Sequence, residues 1–257
     1  MKERISLFGV NIDNVTMEET IAEIERLIKL NKNSIIFTPN VHRVVFAKKD
    51  EHIKEIYDKA DLLLPDGIPL IWASKLLGKP LKERVTGSDL LPLFCQIASK
   101  KGYRLFFLGA EPGIAKKAKN TLINKNPGLQ IIGTYSPPYG FENDDIEIKK
   151  IIKLIKEKRP DVLFIGLGFP KEEKFLWRHK EKLQVPVSIG IGATFDFIVG
   201  KLKRAPKWMQ RIGMEWFFRL CQEPRRLWKR YLIGNTIFIW LVMKELIKIK
   251  ILKKKRS

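Results

Sequence analysis

"DVLFIGLGFPKEEKFLWRHKEKL", residues 161–183, holds the fold in miniature. Its first eight residues form a short apolar run ending in glycines, as expected of a strand buried on both faces. A Phe-Pro turn follows, and then a charged segment, 171–183, with apolar residues at helical spacing. The same pairing recurs through the first 200 residues. Strands are expected at 34–40, 60–67, 103–110, 129–135, 161–168 and 187–193, with helices at 17–30, 41–59, 68–78, 88–102, 113–126, 144–158 and 171–183. Strands alternating with helices give an α/β fold: a Rossmann-like, mostly parallel sheet with helices on both faces. The division expected is an α/β domain over 1–195 and a helical C-terminal appendage over 196–257.

The strand ends carry the chemistry. The apolar runs stop in TPN, PDG, LGAEPG, GLGFPKEE and IGATFDF. Each alone is an ordinary turn, but five polar tips on one sheet edge mark the place where open α/β sheets bind ligands. Asp66 is either a partly desolvated general base or the cap of the next helix. Thr38 and Asn40 offer a hydroxyl and an amide to sugar hydroxyls, or to a helix cap. Arg84 is a bidentate clamp for a diphosphate, or a solvated neighbour of Glu83. Gly109 and Gly113 let backbone N–H groups approach a phosphate at a helix start. Their G-x-x-x-G spacing is neither a dinucleotide fingerprint nor a P-loop, so it fits a nucleotide, a methyl donor or a plain turn.

Charge is uneven. The chain of 257 residues has a net charge of +21; residues 201–257 hold 17 Lys/Arg against 3 Asp/Glu, and the rest 32 against 25. Two cysteines are too few for a disulfide framework, and the opening MKERISLFGV does not read as a secretory segment, so a reducing, cytosolic location is expected. His42, His52 and His179 show no metal-ligand spacing with the cysteines, and there is no D-x-D triplet, so chemistry without metal or cofactor is expected. The longest apolar run, residues 231–243, is 13 residues, too short to span a bilayer of about 20 residues' depth; it suits an interface or a packed helix.

EPRRLWKRYL (223–232) sharpens the question of a partner. At about 100° per residue, Arg225, Arg226, Lys229 and Arg230 fall on one side, and Leu227, Trp228, Tyr231 and Leu232 on the other. That is a basic amphipathic helix suited to an anionic membrane surface, or a surface helix whose aromatic face packs on the body. Nucleic acid is the rival from another class, but no helix-turn-helix, zinc or RNP-like signature accompanies the basic stretch. A methyltransferase using Gly109–Gly113 is a third reading.

Together, TPN (38–40), LLLPDGIP (62–69), RVTGSD (84–89), FLGAEPGIAKKA (107–118), GLGFPKEE (166–173), IGIGATFDF (189–197), KRAPKWMQ (203–210), EWFFRL (215–220) and EPRRLWKRYL (223–232) resemble the WecG/TagA/CpsF family of bacterial glycosyltransferases. The resemblance implies an inverting, metal-independent transfer of an N-acetylmannosamine-type sugar from UDP to N-acetylglucosamine on undecaprenyl diphosphate, an early step of wall teichoic acid or a related surface polymer. A UDP-linked uronic acid or another UDP-hexose is the alternative donor. It also implies a cytoplasmic enzyme held on the inner face of the membrane, and leaves homo-oligomerisation open. By position, Asp66 is the implied base, with Thr38 and Asn40 near donor and acceptor and Arg84 on a diphosphate. Asp196 is implied for the nucleoside, and Arg219, Arg225 and Arg226 for the lipid diphosphate. One departure stands out: the family usually reads PKQE where this chain has PKEE, so Glu172 replaces a glutamine implicated in substrate contact. A carboxylate there is expected to disfavour an acidic donor.

Overall fold

The computed structural model describes residues 3–254. The chain starts with a hairpin that the strand pattern above leaves out: β1 (Arg4–Leu7) pairs antiparallel with β2 (Val10–Asp13). Phe8 and Gly9 between them both have positive φ, as a two-residue hairpin turn requires. Ile5 and Leu7 alternate with polar neighbours, as do Val10 and Ile12, so the period-two signal is present, though short.

All six expected strands form. They are β3 (Ser34–Phe37), β4 (Leu62–Leu63), β5 (Arg104–Gly109), β6 (Gln130–Tyr135), β7 (Val162–Gly166) and β8 (Val187–Gly190), in the spatial order β4-β3-β8-β7-β5-β6. Every neighbouring pair is parallel. The reason is visible along β7, where Val162 and Phe164 join one apolar layer and Leu163 and Ile165 the other. A strand apolar on both faces must be covered on both. One layer is closed by α1 (Met17–Leu30), α5 (Gly87–Lys101), α6 (Ile114–Lys125) and α9 (Thr194–Ile198). The opposite layer is closed by α2 (Val41–Ala47), α3 (Glu51–Asp58), α7 (Asp145–Lys158) and α8 (Lys171–Leu183), with α4 (Ile68–Leu76) and the hairpin at its margin.

Two expectations are corrected. The helix expected over 41–59 is two helices, because the Asp50 side chain caps a new start by accepting the Ile53 N–H. The appendage is helical as expected, but residues 223–232 are not one uniform two-faced helix. It runs through α10 (Lys207–Arg211), α11 (Glu215–Gln222) and α12 (Pro224–Trp228), then a π turn (Lys229–Ile233) that leads into α13 (Gly234–Lys254). In it, basic and apolar residues do not separate. Leu227 and Tyr231 are buried against the body, while Arg225, Trp228, Lys229 and Leu232 form the outer side. The body offers this segment both an apolar shelf and a polar cavity, so its inner side needs both residue types.

The apolar run 231–243 does both things its composition allowed. Phe238 and Leu241 are buried in the layer that holds α2, with Phe238 edge-on to Phe8 at 5.3 Å. Ile239, Trp240 and Met243 point outward and are more than half exposed. Among the described residues no helix is long and apolar enough to cross a membrane.

Candidate active site

The carboxyl ends of β3, β4, β7 and β8 open into a cavity of about 400 Å³, roofed by the appendage. From the sheet come Thr38 and Asn40 beyond β3, Asp66 beyond β4, Leu167 to Lys171 beyond β7, and Ile191 to Ala193 beyond β8. From the appendage come Glu215, Trp216, Arg219, Arg226, Arg230, Tyr231 and Asn235. The topology explains the convergence: parallel strands all end on one edge, and chain order reverses around β3 and β8.

Asp66 lines the cavity at the tip of β4. Its N–H donates to Pro39 O at 3.2 Å, which ties the tips of β3 and β4 together. It is not the cap of α4. That place belongs to Gly67, at φ +123°, a conformation that other residues rarely adopt. Among the described residues the Asp66 carboxylate accepts no hydrogen bond. Desolvation raises it to about 6; Glu215 adds to the rise, and Arg84 and Arg43 oppose it. A carboxyl near 6 is ionised at neutral pH and a stronger proton acceptor than an ordinary aspartate.

Thr38 is buried and donates its hydroxyl to Gly190 O at 3.2 Å. Asn40 caps α2, its carbonyl accepting the Arg43 N–H at 3.3 Å. Its amide nitrogen has no partner among the described residues, so the cap and a ligand can share this side chain. Arg84 does not pair with Glu83, which instead takes the Met17 N–H. It donates to Glu215 at 3.0 Å and to Asp89 at 3.2 Å. Arg204 holds Asp89 bidentately at 2.6 and 3.0 Å, so this network welds the start of α5 to the appendage.

The remaining expected residues divide. Arg219, Arg226 and Arg230 line the cavity, whereas Arg225 and Lys229 lie on the outer side. Arg219 and Arg226 share Glu223. Arg230 makes no hydrogen bond or ion pair among the described residues. Its Nε is orphaned, and its charge is disfavoured by desolvation and by Arg43, Arg219 and Arg226 around it. An uncompensated cation in a cavity fits an anionic ligand. Arg230 and Asn235 both line the cavity although they are five residues apart. In an α-helix that spacing would separate them by about 140°, but one turn of π-helix brings residues five apart onto one face.

Gly109, Gly113 and Asp196 gather beside the cavity and not in its lining. Lys201 ties the loop between the two glycines to Asp196, meeting Glu111 at 2.5 Å and Asp196 at 3.7 Å. Gly109 has a packing reason of its own: a Cβ there would lie 2.5 Å from Gly166 O. Glu172 is fully buried behind the wall, where its carboxylate takes Arg43 at 2.6 Å. It therefore presents no free charge to a donor, and the expected discrimination against an acidic sugar loses its basis.

Several lining residues escaped sequence reasoning. His42 is held neutral, lowered to about 4 by desolvation and by Arg230 and Arg43. Arg43 is buried between Glu172 and Glu173. Glu215 lay inside a recognised motif, but nothing in its spacing pointed to Arg84, 131 residues away.

Body and appendage are also covered together by one family sequence pattern. The sequence pattern of the "Glycosyl transferase WecG/TagA/CpsF family" fits residues 5–251. The chain belongs to this family. It is a glycosyltransferase, and the family match runs through the appendage into α13, so roof and floor of the cavity are one inherited unit. Among curated relatives, the N-acetylglucosaminyldiphosphoundecaprenol N-acetyl-beta-D-mannosaminyltransferase of Bacillus subtilis (strain 168) is 34% identical over 199 residues, covering 77% of this chain and 75% of the relative. The protein of the same name from Staphylococcus aureus (strain MW2) is 28% identical over 249 residues, 96% of this chain and 95% of the relative. Within this WecG/TagA/CpsF glycosyltransferase, the arginines from Arg84 to Arg230 make the cavity suited to phosphate-bearing substrates.

Proposed function

We propose that this enzyme transfers N-acetylmannosamine from its UDP donor to N-acetylglucosamine carried on undecaprenyl diphosphate, with inversion, at the inner face of the cell membrane. Such a step is an early one in wall teichoic acid or a related surface polymer. The observation that carries the reading is the meeting, in one cavity, of the raised carboxyl of Asp66 with Arg84, Arg219, Arg226 and Arg230, the last without an ion-pair partner among the described residues. The names of relatives at 28–34% identity supply the sugars.

The mechanism is a single displacement. The acceptor hydroxyl oxygen bonds to the anomeric carbon, its proton passes to Asp66, and the bond from that carbon to the UDP oxygen breaks. Negative charge grows on the departing diphosphate, where guanidinium groups offset it, a role that a metal fills in other enzymes. Asn40 and Thr38 offer polar groups to the sugars, and Arg226 and Arg230 of the appendage offer positive charge to the acceptor's own diphosphate.

The membrane reading rests on exposed apolar side chains interleaved with cations. Trp228, Leu232, Ile239, Trp240, Met243 and Ile247 are all exposed on the appendage, with Arg225, Lys229, Lys244 and Lys248 among them. Trp72 and Leu76 of α4, and Trp208 and Ile212, are exposed as well, with Trp72 packed close to Gly213 and with Lys75, Lys79, Lys207 and Arg211 nearby in sequence. Interfacial tryptophan with lysine and arginine, at about 1 kcal/mol per basic residue, suits a reversible hold on an anionic leaflet.

The test is a donor screen with purified protein and a lipid-linked N-acetylglucosamine acceptor, following UDP release with and without chelator. Release is expected from UDP-N-acetylmannosamine, undiminished by chelator. Turnover only with the uronic acid or another hexose, or its loss on chelation, would overturn the corresponding part.

A further inference from the structure

Glu172 touches the cavity only through what it holds. One of its carboxylate oxygens accepts Arg43 Nη2 at 2.6 Å, and the other accepts the Gly192 N–H at 3.1 Å. Arg43 spans to Glu173 with its second nitrogen at 2.8 Å, and Glu173 also takes the Tyr57 hydroxyl at 3.2 Å. All four side chains are buried. The result is a continuous link from α2 through α8 to the turn after β8, and that turn, Ile191 to Ala193, is a wall of the cavity.

Three observations tie this link to a ligand as well as to the fold. The turn is gripped at two points, since Thr38 holds Gly190 O while Glu172 holds the Gly192 N–H. Gly192 has φ +57°, and a Cβ there would come within 3.3 Å of Arg43 Nη2, so a side chain at this point would strain the backbone and press on the guanidinium. The next N–H, that of Ala193, has no partner among the described residues, and Ala193 lines the cavity. A wall with a free backbone donor, held rigidly from behind, is built to meet a polar group of a bound sugar.

We propose that Arg43 and Glu172 are positioning residues for the donor sugar: Arg43 fixes Glu172, and Glu172 aims the Gly192–Ala193 backbone into the cavity. The inference rests on the reading of the cavity as a nucleotide-sugar site. It gives the Glu172 position an indirect role, through Gly192, in place of a direct contact with substrate.

The test compares Glu172→Ala, Glu172→Gln and Arg43→Lys, with KM measured separately for donor and for lipid acceptor, per folded enzyme. Glu172→Ala leaves Arg43 balanced by Glu173 but takes away the acceptor for Gly192. It is expected to raise donor KM about tenfold, the worth of about one hydrogen bond. Glu172→Gln keeps one acceptor oxygen for the Gly192 N–H, at the expense of the Arg43 contact that Glu173 still supplies, and should stay within about threefold of the parent. Arg43→Lys keeps the charge without the fork and should fall between them. Acceptor KM should move less than donor KM in all three.

An unchanged donor KM in Glu172→Ala overturns the proposal. So does a loss shared equally by the Ala and Gln variants and tracking their melting temperatures. If the alanine variant does not fold, Arg43→Lys decides by the same split between donor and acceptor. A parent enzyme that turns over, with variants that do not shift, sinks this inference alone; a parent that releases no UDP from any nucleotide sugar sinks the functional reading with it.

Discussion

Arg84 and Glu215 meet at 3.0 Å, one from the body and the other from the appendage. The pair closes the cavity roof and also places a second carboxylate near Asp66, where it helps to raise that group to about 6. Glu215→Gln should therefore lower the acidic limb of the kcat/KM profile below pH 6 by a fraction of a unit. It should also free Arg84, and UDP should bind a few-fold more tightly through a charge-assisted contact. A profile from pH 5 to 8 with UDP titration checks both.

Asp66→Asn tests the base itself. Turnover should fall by about 10²–10⁴ with UDP affinity kept, the usual range for losing a general base. In the parent enzyme kcat/KM should decline as pH falls through about 6, where Asp66 takes up a proton. Stability should move the opposite way. A native carboxyl raised from 3.8 to about 6 imposes a cost that is absent below about pH 4 and complete above about pH 6. Asp66→Asn should thus be more stable than the parent at pH 8, by about 1–3 kcal/mol, with the gap closing by pH 4. Thermal melts across that range read it directly.

Arg230→Met separates binding from folding. The arginine is crowded by other cations and, apart from lying over the Tyr231 ring at 5.5 Å, makes no hydrogen bond or ion pair among the described residues. Replacing it should leave stability unchanged or raise it by about 1 kcal/mol. KM for the lipid-diphosphate acceptor should nonetheless rise at least about tenfold, through loss of a charged contact. Melting curves and acceptor kinetics on one preparation are enough.

The outer side of the appendage should act on the membrane and not on the chemistry. Trp228→Ser with Leu232→Ser and Trp240→Ser removes three exposed apolar side chains. Partition onto vesicles rich in anionic lipid should drop about 100-fold or more, given about 1.5–3 kcal/mol per large side chain. Turnover of a short-chain, water-soluble acceptor should persist. Vesicle sedimentation beside that assay distinguishes the two.

The sheet was legible because its signal is local. Val162 to Ile165 announce a doubly covered strand within four residues, and the Asp66 turn can be located from its neighbours alone. The hairpin is hard to read from sequence because four alternating residues on each side of Phe8-Gly9 make a weak pattern. What stayed hidden depends on distance along the chain. Arg43 and Glu172 are 129 residues apart, and Arg84 and Glu215 are 131 apart. No spacing rule links such partners, so the charge of Glu172 could be noticed without its counter-charge. The appendage misled for a different reason: a helical wheel assumes one uniform pitch, and residues 229–233 do not keep it.

That change of pitch is a phase adjustment. Arg226 and Arg230 must point at the cavity, and a few residues later Phe238 and Leu241 must point at α2. Those targets lie at different angles around one continuous rod, and the wider turn supplies the rotation between them. Deleting a single residue there, Leu232 for instance, would turn all that follows by about 100°. Each side of α13 would swing by a little over a quarter turn, so that Phe238 and Leu241 would miss α2 with every side chain retained.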